Sequence, residues 1–276
     1  MMIQVQDAPV YCYTAGKTFK PELPTLVFIH GAQNDHSVWS LQSRYFAYHG
    51  YNVLALDLPG HGRSGGTALS SVEAISNWFV DLLNVAGISK VSLTGHSMGS
   101  LIALETARNH PDRVVKLALL GNAWPMKVAD ALLNMARDDE PAAINLVNSW
   151  SHRSSTQSTA NPGFNLQGNA KRLMQRMSAI NPAQLFYTDF SACNNYQQGD
   201  AAAEVINQHQ LPVLFVMAQQ DRMTPGKASA KLRGAITTAR VVEITQCGHS
   251  MMHEQPDAVL FALIEFLNQK SLAAQA

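Results

Sequence analysis

The chain has 276 residues, long enough for one large hydrophobic core. Apolar residues make up 46% of it and charged residues 14%, with 20 basic and 20 acidic side chains and therefore no formal net charge. This composition excludes an intrinsically disordered chain, and the absence of a basic run argues against nucleic acid as the main partner.

Three features of the sequence predict a cytoplasmic protein. The cysteines Cys12, Cys193 and Cys247 lie far apart without metal-ligand spacing, as is typical of a reducing compartment. The N-terminus has no basic segment followed by an apolar run, so no secretory signal is expected. No stretch approaches the roughly 20 apolar residues that span a bilayer.

Short apolar runs alternate along the chain with amphipathic patterns. Most of the runs are continuous, which is typical of parallel strands buried on both faces, whereas the opening 24 residues predict antiparallel strands at one edge. Apolar residues at helical spacing follow, for example between Ile75 and Ala86 and between Val259 and Leu267. We therefore predict an α/β fold with a mostly parallel central sheet flanked by helices. The predicted core strands lie at 25–31, 51–60, 90–95, 114–123, 211–218 and 239–248.

The alternation stops after Ala123, and roughly eighty residues follow without a convincing strand. Helices are predicted near 125–137, 140–150, 169–178 and 182–193, with a polar, mobile loop at 151–169. We interpret residues 123–205 as an all-helical insertion between two parts of one core, 1–122 and 206–276.

The segment GHSMG, residues 95–99, lies where a predicted strand gives way to a helix. A tight turn there forces the middle residue, Ser97, into a strained conformation, and small neighbours prevent collisions. A serine that merely caps the helix does not require both glycines. We therefore interpret Ser97 as a nucleophile.

A serine nucleophile needs a base and an acid that orients the base. His249 follows the last predicted strand and is the candidate base, whereas His253 is closer to the final helix and has a capping or surface role. Asp221 directly follows the preceding strand and is the candidate acid. Asp189 and Asp200 belong to the helical insertion and are set aside.

The oxyanion formed on attack requires backbone donors aimed at it in advance. The N–H of Met98, at the start of the helix, supplies one donor. The N–H of Ala32, after the strand that ends in His30 and Gly31, supplies the other. His30 is interpreted as a buried histidine bonded to nearby backbone.

Taken together, these residues resemble the α/β-hydrolase superfamily, in the form of a capped carboxylesterase or lactonase. The resemblance rests on HGA (30–32), DLPGHGRS (57–64), GHSMG (95–99), Asp221 and His249, and it covers the whole core. It implies a triad in the order Ser97, Asp221, His249 and a cap formed by the helical insertion. It also implies structural roles for Asp57, His61 and Arg63, which lie in a turn beside the site.

The resemblance implies a serine hydrolase acting on a small to medium carboxylic ester, lactone or thioester. It requires no cofactor or metal, and the partner is a small acyl substrate, with a homodimer possible. Two alternatives stay open: a carbon–carbon bond hydrolase or perhydrolase with the same triad, and a non-catalytic ligand-binding protein. Cleavage of carbon–halogen bonds or epoxides is disfavoured because it uses aspartate at the position of Ser97.

The sequence offers several candidates for the substrate pocket. Its residues would come largely from the helical insertion, and the candidates are His36, Trp124, Trp150 and Tyr187. Basic residues of the insertion are candidates for holding a substrate carboxylate, although solvated helix faces also account for them. These residues are Arg137, Arg153, Lys171, Arg172 and Arg176.

Overall fold

The computed structural model describes residues 1–153, 165–181 and 184–269. Within these residues one sheet forms from eight strands, in the order β1-β2-β4-β3-β5-β6-β7-β8. The strands are β1 Met2–Val5, β2 Ala8–Tyr13, β3 Thr25–Ile29, β4 Asn52–Leu56, β5 Val91–His96, β6 Val114–Leu120, β7 Val213–Ala218 and β8 Ala239–Ile244.

The sheet is parallel from β4 through β8 and antiparallel at one edge. Strands β1 and β2 pair antiparallel with each other, and β2 pairs antiparallel with β4. Every residue of β3, β4, β5 and β7 is buried, because helices cover both faces. The predicted architecture, including the antiparallel edge, is therefore confirmed.

Helices flank this sheet, and their ends carry the expected local signals. Helix α2 begins after Ser71, whose hydroxyl accepts the Ala74 N–H at 3.1 Å, and α11 begins at Pro256, where a missing N–H is tolerated. None of the helices in the described ranges is long and apolar enough to cross a membrane. The helices are α1 Ser40–Tyr48, α2 Val72–Val85, α3 Met98–Asn109, α4 Asp130–Asp138, α5 Glu140–Ser151, α6 Leu166–Ile180, α7 Leu185–Asn195, α8 Gly199–Gln208, α9 Ala230–Ala235, α10 Met251–Glu254 and α11 Pro256–Asn268.

The described residues between β6 and β7 form helices and no strand. Helices α4 to α7 enclose a small core of their own, which includes Leu132, Ile144 and Phe186. Helix α8 was not predicted; it packs against α3 and α9 of the sheet layer, and the predicted boundary at residue 205 falls inside it. Helix α6 starts at Leu166, within the stretch 151–169 that was predicted as a loop. Residues 154–164 of that predicted loop lie outside the described residues, and so do residues 182 and 183 of the last predicted helix.

The topology brings three candidate residues to one edge of the sheet. Ser97 follows β5, Asp221 lies three residues after β7, and His249 lies beyond β8. Because parallel strands end at the same edge, these loops converge there, and the helical insertion leaves the sheet at the same edge, after β6.

Candidate active site

Ser97 lies between β5 and α3 with no intervening loop. Its backbone has φ 53° and ψ −118°, a conformation that costs free energy for a residue with a side chain. The residue is half-buried and lines a cavity at the edge of the sheet. The sharp turn therefore presents the hydroxyl to that cavity at the N-terminus of a helix.

The flanking glycines are required by close approach of the backbone. A Cβ on Gly95 would collide with the carbonyl oxygen of Gly99, and a Cβ on Gly99 would collide with that of Ile29. A Cβ on Gly31 would lie 3.1 Å from the Cβ of Ser97, so the loop after β3 passes directly beside the serine. The spacing of glycines around Ser97 thus follows from how tightly α3 docks on β3 and β5.

His249 and Asp221 form a buried pair. The Nδ1 atom of His249 lies 2.7 Å from Oδ2 of Asp221, and the side chains are 8% and 0% exposed. Burial alone would raise the pKa of Asp221, but the adjacent His249 and hydrogen bonds from Thr224 outweigh it and lower the pKa to about 2. The ionised carboxylate accepts the Nδ1–H of the imidazole, which leaves Nε2 with the lone pair of a base.

Thr224 is a further residue of this arrangement that the sequence analysis missed. Its backbone N–H donates to Asp221 Oδ1 at 2.7 Å and its hydroxyl donates to Oδ2 at 2.8 Å. The same hydroxyl lies 3.1 Å from His249 Nδ1. An aspartate that accepts from backbone two or three residues onward is a turn signal, and that signal could have identified the position.

The two predicted oxyanion donors lie beside Ser97. Met98 is the first residue of α3, where an N–H has no acceptor within the helix. Ala32 lines the cavity together with Ser97 and His249. This arrangement would place two backbone donors near a carbonyl oxygen attacked by the serine.

The helical insertion holds the loop that carries Ala32. The Gln33 N–H donates to Asp189 Oδ2 at 2.8 Å, and its side-chain amide donates to Glu140, the Met174 carbonyl and Ser178. Gln33 is completely buried and has φ 58°. Its many partners therefore fix an otherwise unfavourable backbone next to the site.

Asp189 also binds His61, which lies on the turn after β4. The Nε2 atom of His61 lies 3.0 Å from Asp189 Oδ2, and both side chains are buried. Burial lowers the pKa of His61, but the charge and hydrogen bond of Asp189 outweigh it, so the pKa is raised. A buried ion pair thus connects the insertion to the core.

We expect this pair to make stability depend on pH. Because the pKa of His61 is raised on folding, its contribution is present below the unfolded value of about 6.5 and is lost as pH rises through the folded value. Asp189→Asn should therefore flatten the decline in the free energy of unfolding as pH rises above about 6.5, measured by urea titration. Asp138→Asn, in an exposed pair with Arg137, is the control and should leave the slope unchanged. An unaltered slope in Asp189→Asn would contradict the prediction.

Two other histidines near the site are neutral and structural. His30 bonds the carbonyl of Gly31 and the N–H of Leu58, in agreement with its interpretation from sequence. His96 donates to the carbonyl of His249 at 2.9 Å, which helps to position the loop of the candidate base. Burial, with a second histidine nearby, lowers the pKa of each imidazole to about 3.

The candidate pocket residues lie in different places. Trp150 lines a second cavity that also contacts Ser97. His36 lies 2.7 Å from Asp57 and packs on Tyr11, and Trp124 packs on Tyr196. Tyr187 lies below the guanidinium of Arg137. His36, Trp124 and Tyr187 are not among the described residues that line either cavity.

One cluster could offer ligands to a metal ion. Carboxylate and imidazole atoms of Asp35, His36 and Asp57 lie within 4.8 Å of one another. However, Asp57 accepts the backbone N–H groups of His36 and Arg63, and Asp35 accepts that of Ser37. These bonds indicate that the carboxylates stabilise turns.

Two cavities meet at Ser97. The first has about 60 Å³ and is lined by His249, Ala32 and Asn34 among others. The second has about 220 Å³ and extends along the helical insertion. Ser97, Phe190 and Met223 contribute to both cavities, so a substrate bound at the serine has space on two sides.

Comparisons with known proteins agree with this fold. A 2-hydroxy-6-oxononadienedioate/2-hydroxy-6-oxononatrienedioate hydrolase of Paraburkholderia phymatum is 26% identical, over 89% of this chain and 87% of that protein. A pimeloyl-[acyl-carrier protein] methyl ester esterase of Nitrosomonas europaea is 27% identical, over 85% of this chain and 92% of that protein. The enol-lactonase structure from Burkholderia xenovorans LB400 superposes with a TM-score of 0.82 at 18% identity, covering 98% of this chain and 100% of that one.

The model of one protein family matches most of the chain. It describes the alpha/beta hydrolase fold and aligns with residues 24–256, which include the whole parallel sheet and the helical insertion. The two relatives described above carry hydrolase and esterase names, and a synthase of Enterobacter sp., 28% identical over 90% of this chain and 93% of that protein, is also similar. The chain therefore belongs to the alpha/beta hydrolase family and is a hydrolase.

Proposed function

We propose that this protein is a serine hydrolase that cleaves a small to medium carboxylic ester, lactone or thioester. One observation carries the proposal. The imidazole of His249, which is paired with the buried Asp221, lines the same cavity as the strained Ser97. A base oriented by an ionised acid is the arrangement that activates a serine hydroxyl. The methyl ester esterase and enol-lactonase names of two similar proteins support an acyl substrate.

In the proposed reaction, Ser97 Oγ attacks the substrate carbonyl and His249 Nε2 takes the hydroxyl proton. The N–H groups of Ala32 and Met98 would stabilise the oxyanion, and the imidazolium would return the proton to the leaving oxygen or sulfur. Water activated by the same imidazole then cleaves the acyl-enzyme and regenerates Ser97. Asp221 stays ionised throughout and stabilises the imidazolium.

A second candidate function uses the same residues. The Paraburkholderia relative is named as a hydrolase of an oxononadienedioate, which favours hydrolysis of a carbon–carbon bond in a ring-cleavage product. Attack at a ketone carbonyl and release of a carbon leaving group would then replace ester cleavage. A cytoplasmic location, the action of the helical insertion as a cap, and a homodimer stay predictions.

Steady-state kinetics on matched substrates distinguishes ester hydrolysis from carbon–carbon bond hydrolysis. We expect turnover of nitrophenyl esters, with a preferred acyl length set by the second cavity, and little turnover of a vinylogous diketone. The reverse ranking would favour the carbon–carbon hydrolase. Tight ligand binding that persists in Ser97→Ala, without turnover of either substrate, would contradict both and indicate a binding protein.

A further inference from the structure

The second cavity has apolar walls and two cationic side chains. Met126, Leu132 and Phe190 contribute to the walls, and Trp150 closes one side. Among its described lining residues only Lys127 and Arg222 carry charge, and both are exposed on the outer side. Lys127 comes from the segment between β6 and α4, and Arg222 directly follows the candidate acid.

Neither cation is paired with a carboxylate in the part of the chain that the structure describes. Lys127 and Arg222 form no ion pair within the described ranges, and the remaining residues of the chain contain no aspartate or glutamate. The ammonium of Lys127 contacts the carbonyl of Asn194 at 3.3 Å, and the guanidinium of Arg222 lies 5.8 Å from the ring centre of Trp150. Both groups therefore retain donors for a ligand.

The cations that the sequence indicates as carboxylate ligands lie elsewhere. These candidates are cations of the helical insertion: Arg137, Arg153, Lys171, Arg172 and Arg176. None of these five belongs to the described lining of either cavity. The two cations that do line a cavity come from segments on either side of the insertion's helices, and only the fold brings them together.

The position of His249 indicates which cavity holds the leaving group of an ester and which holds its acyl group. His249 lines the first cavity and is not among the described residues that line the second. Because the imidazole must protonate the leaving group, the leaving group belongs in the first cavity, whose volume of about 60 Å³ suits a small alcohol. The acyl group then extends into the second cavity; this step rests on the proposed function.

We propose that the preferred substrates are monoesters of dicarboxylic acids with a small alcohol. The acyl chain lies along the apolar walls of the second cavity, and its distal carboxylate binds Arg222 and Lys127. A guanidinium matches a carboxylate with two parallel hydrogen bonds, whereas the ammonium acts as a point charge. Such a charged contact corresponds to a preference of about tenfold over a neutral end group.

Binding is measured by calorimetry in the Ser97→Ala protein, which does not consume the probes. The probes are monomethyl adipate and its analogue in which a carboxamide of the same shape replaces the free carboxylate. We expect the carboxylate probe to bind about tenfold more tightly, and less so at 0.5 M salt, which is about the concentration needed to screen exposed charges. Arg222→Met should abolish most of the preference, and Lys127→Met part of it.

Lys227→Met is the matched control, because Lys227 is exposed and belongs to neither described cavity lining. It should retain the preference, and thermal unfolding confirms that each variant is folded. Equal affinity for both probes, binding of neither, or a preference that survives Arg222→Met would overturn the inference. The binding measurement involves no turnover. Its failure can therefore be distinguished from failure of the proposed function, which would be seen as hydrolysis that does not depend on Ser97.

Discussion

Replacing Ser97 with alanine is expected to lower kcat for an ester substrate by about 10⁴- to 10⁶-fold. The hydroxyl is the nucleophile that attacks the substrate and forms the acyl-enzyme in the proposed mechanism, so its removal blocks the first step. KM should change far less, because the cavities and backbone donors persist. The measurement is steady-state hydrolysis of a nitrophenyl ester at saturating substrate.

Ser92→Ala is the matched control for this change. Ser92 is a buried serine on β5, the strand that ends directly before Ser97, so its replacement also removes a serine hydroxyl. We expect near wild-type turnover from this control. Activity within about tenfold of wild type in Ser97→Ala would refute the nucleophile assignment.

Replacing Asp221 with asparagine is expected to lower kcat by about 10³- to 10⁴-fold. Because the pKa of Asp221 is about 2, the carboxylate is ionised at any working pH and accepts the Nδ1–H of His249. An amide at this position can donate to Nδ1, which selects the tautomer that has no lone pair at Nε2. The loss should therefore be similar at pH 6 and pH 8, as tested by a kcat profile.

Asp200→Asn controls for the loss of an aspartate carboxylate elsewhere in the fold. Asp200 lies at the start of α8 and forms an exposed pair with Lys231. Its replacement should leave kcat within about twofold of wild type, since exposed pairs contribute little. A comparable loss in both variants would show that the effect of Asp221→Asn is not specific.

The sheet could be predicted from the sequence because buried parallel strands leave a direct signal. A run such as that at 25–31 is continuous and apolar, and the structure places every residue of β3 in the interior. The edge strands followed from the separate pattern of the opening residues. The order along the chain of Ser97, Asp221 and His249 located all three at one edge, because each comes after a strand.

Other features depend on contacts between distant segments. Helix α8 was not predicted because it is short and its apolar residues are mostly alanine, and its helical form is stabilised by packing on α3. Asp189 was set aside as a residue of the insertion, yet it accepts hydrogen bonds from two core loops. No local pattern indicates that a helix 156 residues away will bond the Gln33 N–H.

The cavity lining was the least predictable part. His36 is followed by a helix and has a suitable side chain, but Asp57 fixes it against the aromatic rings of β2. Arg222 had no distinguishing signal beyond its place after Asp221, and its relation to Trp150 depends on how α5 packs. A substrate pocket built from several elements is thus defined only by the folded chain.

Covalent trapping tests whether Ser97 is an activated nucleophile. The intact protein is incubated with a fluorophosphonate, and its mass and modified peptide are determined. We expect one adduct per chain on the peptide containing Ser97. The adduct should be absent in Ser97→Ala, retained in Ser92→Ala and formed much more slowly in Asp221→Asn. An unmodified wild-type protein, or an adduct that persists in Ser97→Ala, would contradict this role of Ser97.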